Sequence, residues 1–332
     1  VKFCAGDFNS IKFWGQIDIS NANKENGIVQ YHIIFCTFFD KSILQKMKTI
    51  LLFIIAEILF GVLVKGQHQE ESPITIEKIS DNLFQLIGGR GANAGMYIGD
   101  NAVLIIDAKM DEKSVEGIFT AVKSFTDKPV KYLVNTHSDG DHVKGNEFFP
   151  EEVVIVAHKN CRKEFFHPGR DGTPSRWADE KLFPFIPQVT FDNQMQIHLG
   201  SKTVELYYFG VGHTTGDIVV YFPEEKTAFI GDQVFFGRPQ LIHSYKGGNS
   251  FEHVKTVEKM LETLDALRFC SGHAEMKTRE DIEIHLEEIK RFQQKVKALI
   301  NEGKKLEQVQ SEFTTEESRL AESVYNEIKA IR

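Results

Sequence analysis

Apolar positions along this chain recur with two different periods. Short apolar or alternating runs, broken by Gly, Asn and Asp, predict strands at Leu83–Ile87, Gly95–Ile98 and Ala102–Ile106. Val115, Ile118, Phe119 and Val122 then recur at helical spacing behind Asp111, whose short carboxylate suits an N-cap. Further strands are expected at Val130–Val134 and Val153–Ala157. Residues 166–188 are punctuated by Pro and Gly and read as a long irregular loop, the kind that shapes a binding site. Strands resume at Gln194–His198, Val204–Phe209, Ile218–Phe222 and Ala228–Ile230. Phe251, Val254, Val257 and Leu261 mark a helix with Ser250 as its expected cap, and Ala266–Phe269 is a last strand. Beyond it, Thr278-Arg279-Glu280-Asp281 opens a helix in capping-box style, with Ile282, Leu286, Ile289, Phe292 and Val296 as its apolar stripe. Gly303 interrupts the helix, and Thr314-Thr315-Glu316-Glu317 opens a final one. Strands alternating with helices in two similar blocks, each followed by helices, predict an α/β fold: a four-layer α/β/β/α sandwich in one domain.

The first 66 residues read differently. Residues 1–46 show no convincing apolar period and no clean cap signals. Met47 is the first methionine; Lys48 follows it, then a mostly apolar run from Ile50 to Val64, and Val64-Lys65-Gly66 before Gln67. A positive start, a short apolar run and small or branched residues at the cut make residues 47–66 a signal peptide by layout. The run is shorter than the roughly 20 residues a bilayer span needs, so no stable membrane anchor is expected after cleavage. The reading is therefore a start at Met47, residues 1–46 as an upstream segment translated by mistake, and a 67–332 domain that is exported, periplasmic or secreted.

The 332 residues are 42% hydrophobic and 26% charged, an ordinary globular balance that allows a sizeable core. Net charge is −8, which excludes the basic footprint of a nucleic-acid binder. Of the four cysteines, Cys4 and Cys36 fall in the leader. Cys161 and Cys270 remain, either paired or as two buried thiols.

The chemistry clusters at predicted strand ends. Asn135-Thr136-His137-Ser138-Asp139-Gly140-Asp141-His142 follows the strand Val130–Val134. In extended chain, residues two apart point the same way, so His137, Asp139 and Asp141 converge, and His142 turns in as a short helix begins. Clustered carboxylates repel unless a cation compensates them. His213 lies in a Gly-bounded turn after Val204–Phe209, Asp232 ends Ala228–Ile230, and His273 lies just past Ala266–Phe269. Four His and three Asp are enough ligands for two divalent ions with positions left for water and substrate. Gly247-Gly248-Asn249-Ser250 is a candidate source of oxyanion donors, though a plain loop and cap is the commoner use of such a stretch. His167, Arg176, Trp177 and Phe183 are candidates for the pocket lining. His158, His198, His243, His253 and His285 match no ligand pattern and read as structural or solvated.

These segments resemble the metallo-β-lactamase superfamily, whose signature runs His-x-His-x-Asp-His, a Gly-His turn, Gly-Asp or Cys, then Gly-His. The resemblance covers Thr75 to the helix after Thr278, and Gly99-Asp100, Asn135-Thr136 and Gly145-Asn146 fit its context. It implies the metallo-β-lactamase type of sandwich, with His137 and His213 on a first metal and Asp141, His142 and His273 on a second. Asp232 would bridge, as in glyoxalase II-like members. Asp139 stands where the second motif His belongs, and it is expected to ligate the first metal and to favour harder ions. The implied activity is that of an exported metallo-hydrolase: a metal-activated hydroxide, oriented by Asp141 as catalytic residue, cleaves an ester, lactone, lactam or thioester in a small-molecule substrate. Zinc is the expected metal, with iron or manganese as alternatives. A mononuclear iron oxidoreductase similar to persulfide dioxygenases, and an inactive metal-binding relative, remain as other readings.

Overall fold

The computed structural model describes residues 2–8, 11–17, 33–35 and 73–331; the signal-peptide reading of 47–66 lies outside the described residues. The chain divides into two units, Val1–Glu70 and Glu71–Arg332. In the first, β1 (Lys2–Phe8), β2 (Ile11–Ile17) and β3 (Ile33–Phe35) form an antiparallel sheet. The sequence pattern predicts no element there. A register shift between Cys4 and Asp7, with glycines in both longer strands, blurs the period of two by which strands are recognised.

The second unit is built on two mixed sheets. One runs β4 (Thr75–Lys78), β5 (Leu83–Ile87), β6 (Ala94–Ile98), β7 (Val103–Ile106), β8 (Val130–Val134), β9 (Val154–His158) and β10 (Val189–Phe191) in sequential order. It is antiparallel up to β7 and parallel from there on. The other holds β11 (Gln194–Leu199), β12 (Lys202–Tyr207), β13 (Val219–Phe222), β14 (Thr227–Gly231), β15 (Arg268–Ser271) and β16 (Lys277–Thr278), with β14 and β15 parallel. Parallel neighbours need crossovers. Helix α1 (Glu112–Phe125) joins β7 to β8. The short helices α2 (Gly140–Val143) and α3 (Lys159–Glu164) flank β9, and α4 (Ser250–Thr263) joins β14 to β15. Helices α5 (Arg279–Asn301), α6 (Leu306–Gln310) and α7 (Ser318–Ile331) complete the unit.

Alternation along the strands makes the four layers. In β7, Leu104 and Ile106 face a core shared with Val204, Leu206, Val220, Phe222 and Phe229 of the second sheet. Val103 and Ile105 face the other way, onto Val115, Ile118 and Val122 of α1. In β13, Val219 and Tyr221 face a third core with α4, α5 and α7. Adjacent residues of one strand thus serve different cores, and the expected α/β/β/α order is what the molecule has. Among the described residues no helix is long and apolar enough to cross a membrane.

Local chemistry corrects one expectation and decides between the alternatives of another. Asn249, not Ser250, caps α4, accepting from the backbone N–H groups of Phe251 and Glu252. Ser250 is the first helical residue and its hydroxyl bonds Glu327 instead. Cys161 and Cys270 are both free and buried, in separate apolar clusters.

Candidate metal centre

The polar cluster forms where β7, β8, β14 and β15 end, on the loops that follow their C-terminal edges. The chain 135–139 leaves β8, Asp232 follows β14 and His273 lies just past β15. His213 comes from the turn between β12 and β13. The structure gathers His137, Asp139, His213 and Asp232 in one group and Asp141, His142 and His273 in an adjoining one, the ligand atoms of each lying within 4.8 Å of one another. Asp232 lies between the two groups: its Oδ1 is 3.2 Å from His142 Nε2, and its Oδ2 is 3.3 Å from His273 Nε2 and 3.9 Å from His137 Nε2. Every residue read as a ligand from the sequence is therefore in the cluster.

The imidazoles are aimed by outward partners. Asp107 Oδ2 lies 2.7 Å from His142 Nδ1 and accepts from Thr136 Oγ1 at 2.8 Å, so His142 carries its proton on Nδ1. With the Thr136 hydroxyl donating to Asp107, its oxygen is left to accept from His137 Nδ1 at 3.1 Å. Leu241 O, 2.8 Å from His213 Nδ1, can only accept. All three rings thus turn an Nε2 lone pair inward, the arrangement seen around metal-ligating His. There they meet carboxylate oxygens, acceptor facing acceptor. Among the described residues, His137 Nε2, His142 Nε2 and Asp232 Oδ1 are buried and meet no hydrogen-bond partner. Only a cation or an added proton resolves such contacts, so the donor set fits divalent metal.

The titration behaviour has the same origin. Burial disfavours charge on His213, yet Asp139 facing it at 2.9 Å overrides burial and raises it to about 9. His273 is likewise raised to about 9, against burial, by Asp141 and Asp232. Against burial, His142 holds Asp232 well below the usual carboxylate range, and His213 does so for Asp139. Burial would raise Asp141 too, but the His273 hydrogen bond brings it to about 2.

Close backbone approach makes the packing possible. A Cβ on Gly272 would lie 2.5 Å from Asp232 Oδ1 and 2.6 Å from His142 Cε1. Gly91, at φ +113°, lets the 88–93 loop pass over Asp141, where Ala92 N donates to the Asp141 carbonyl at 3.0 Å. That loop is pinned by Lys109, whose Nζ donates to the carbonyls of Leu86 and Gly88.

Other expectations change. The backbone N–H groups of Gly247, Gly248 and Asn249 donate to Ser244, His243 and Gly212 carbonyls, and that of Ser250 donates to Glu327. The stretch is therefore a loop and cap rather than an oxyanion site. Trp177 is buried against Phe165 in a satellite core, and Arg176 pairs with Glu147 at 2.6 Å. Phe183 is exposed beside Phe166, and His167 lies against Tyr245. His243, read as a bystander, places Nε2 3.0 Å from Asp139 Oδ2. Lys246 and Asp107 were not singled out as members of the site. Asp107 carried a signal, an acid ending a buried strand; Lys246 carried none.

A family model described as "Metallo-beta-lactamase superfamily" matches residues 87–273. A type 2 metallo-beta-lactamase of Elizabethkingia meningoseptica is 25% identical over 263 residues, covering 77% of this chain and 99% of its own. A hydroxyacylglutathione hydrolase of Pelagibacter ubique is 23% identical over 48% of this chain and 54% of its own. Among solved structures, the DIM-1 metallo-beta-lactamase superposes with a TM-score of 0.54 at 17% identity, over 67% of this chain and 99% of its own.

Proposed function

This chain belongs to the metallo-beta-lactamase superfamily, and on that premise we propose that it is an exported hydrolase that cleaves an ester, lactone, lactam or thioester in a small molecule. The observation that carries the reading is the set of inward Nε2 lone pairs and orphaned buried acceptors. His137, Asp139 and His213 would hold one divalent ion, Asp141, His142 and His273 another, with Asp232 shared. Such ions, zinc by preference, supply an acidified water and a Lewis acid for the substrate oxygen.

The residues of this chain arrange the rest. Asp141 and His273 are the open side of the centre, with side chains 33% and 26% exposed against 3% for Asp232. Substrate therefore enters over Asp141 and His273. Asp141 is ionised at neutral pH, so an oxygen of its carboxylate accepts from the attacking water and orients it. Phe235 stacks on the His273 ring at 5.6 Å between centroids and limits water on that flank. The names of the relatives, a β-lactamase and an acylglutathione hydrolase, favour an acyl bond as the target.

The test is metal analysis of the protein expressed from Met47, run beside a panel of nitrocefin, lactones, thioesters and phosphodiesters. Chelator-sensitive turnover of an acyl substrate with bound divalent metal is expected. One iron per chain with oxygen uptake on persulfides, or no bound metal, would overturn the reading. Export and a 67–332 enzyme domain rest on the Met47–Gly66 layout. Secreted protein should start near Gln67 by mass spectrometry, and intact Met47 in soluble cytoplasm would refute both.

A further inference from the structure

Asp139 adds a carboxylate where the family pattern has imidazole, and by itself that would make the first corner more negative. The structure places a second charge against it. Lys246 Nζ lies 2.6 Å from Asp139 Oδ1 and 2.8 Å from Ser138 Oγ. Both charged side chains are largely buried, 10% and 13% exposed, so water screens them little. The other oxygen, Oδ2, faces inward, 2.9 Å from His213 Nε2 and 3.7 Å from His137 Nε2. One carboxylate oxygen is thus taken by an ammonium, while the other faces the metal corner and also lies 3.0 Å from His243 Nε2. Glu164, the other acid behind this corner, is occupied by Ser138 at 2.6 Å and by the Thr215 N–H at 2.9 Å.

The lysine is held in place by backbone. A short turn, Ser244–Lys246, is closed by Gly247 at φ +78°. His243 N donates to His213 O at 2.8 Å and Asn249 N to Gly212 O at 3.2 Å, so the turn is tied to the loop that carries His213. The cation and the histidine ligand are parts of one local structure.

We infer that Lys246 is a charge-compensating positioning residue of the metal centre: with Asp139 it forms a net-neutral pair that takes the place of one neutral imidazole. The first corner then keeps the charge of a three-histidine site, and the hardening expected from Asp139 alone is cancelled. The inference rests on Asp139 being a ligand, as proposed above.

The test is a double-mutant cycle on metal-free protein, reading Zn²⁺ and Mn²⁺ dissociation constants by competition with a chromophoric chelator. Asp139→His leaves the ammonium facing a cation and should weaken both ions by roughly 10–100-fold. Lys246→Met leaves the carboxylate uncompensated and should raise Mn²⁺ affinity relative to Zn²⁺ by about tenfold, the lower end of what outer partners carry. The double variant should return to within about twofold of wild-type Zn²⁺ affinity, the departure from additivity expected of two residues in contact. Lys246→Arg should preserve the wild-type preference. Multiplicative effects of the two single changes would overturn the inference. Should Lys246→Met fail to fold, the comparison of Asp139→His with the double variant decides: tighter Zn²⁺ in the double variant supports it and equal affinity refutes it. Asp139→Ala separates the two levels. Unchanged metal affinity there removes Asp139 as a ligand, whereas weakened affinity with a multiplicative cycle removes only the role of Lys246.

Discussion

The two corners of the metal centre are held by different means. Around His142, the outer partner is an anion: Asp107 is buried at the end of β7 and braces the ring from behind. Around Asp139, the outer partner is a cation, Lys246, delivered by a loop far along the chain. Each corner also has a buried lysine in the opposite role. Lys246 is paired with an acid and stays charged, since Asp139 lifts it against burial. Lys109 bonds the carbonyls of Leu86 and Gly88, and burial, outweighing the charge of Asp107, pulls it down to about 7. On the reading proposed above, the outer partner matches the side chain it serves. A neutral imidazole is strengthened by an anion behind it, whereas a carboxylate ligand is moderated by a cation.

Removing what the corners share should have the largest effect. Asp232→Ala leaves His137, His142 and His273 without their common carboxylate. Metal content should fall in both corners, and kcat/KM should drop by more than the roughly 10–100-fold that an outer partner costs. Elemental analysis and steady-state kinetics check this, and loss confined to one ion would show that Asp232 serves a single corner.

Asp107→Ala should act on one side. It frees His142 to turn and strands the Thr136 donors, so metal affinity should fall by roughly 10–100-fold. In a chelator titration the weakened step should be one of two. Equal weakening of both steps would break the division into corners.

The effect furthest from metal binding is on stability and concerns Lys109. Unfolded chain keeps the lysine proton up to its ordinary 10.5, while the folded protein releases it near 7. Between these values the unfolded state binds more protons, so folding stability rises with pH across that window and falls again as pH drops toward 7. Urea denaturation at several pH values should show this slope in wild type and a flatter one in Lys109→Met. An unchanged slope would mean that Lys109 stays charged where it is buried.

Much of this was legible in sequence, and the reason is local. Strand and helix periods depend on neighbouring residues, so the segments from Leu83 to the helix after Thr278 were found within a few residues of their observed bounds. The exceptions are short: β4, β10, β16 and the six-residue helix α3 are too brief to show a period, and β16 has two residues. Asn249 displaced Ser250 as the cap because its amide oxygen reaches two backbone donors, while the serine hydroxyl was drawn to Glu327, 77 residues away.

By itself the sequence determined the α/β layering and which His and Asp side chains gather in one cluster, because alternation along a strand and chemistry at strand ends are written in adjacent residues. Tertiary structure alone decided which groups stand behind the ligands. Asp107 reaches His142 across 35 positions and Lys246 reaches Asp139 across 107, contacts with no periodic trace in the chain. Whether a carboxylate hardens a metal site or is neutralised within it depends on charges a few ångströms away, and the folding of distant loops sets those distances.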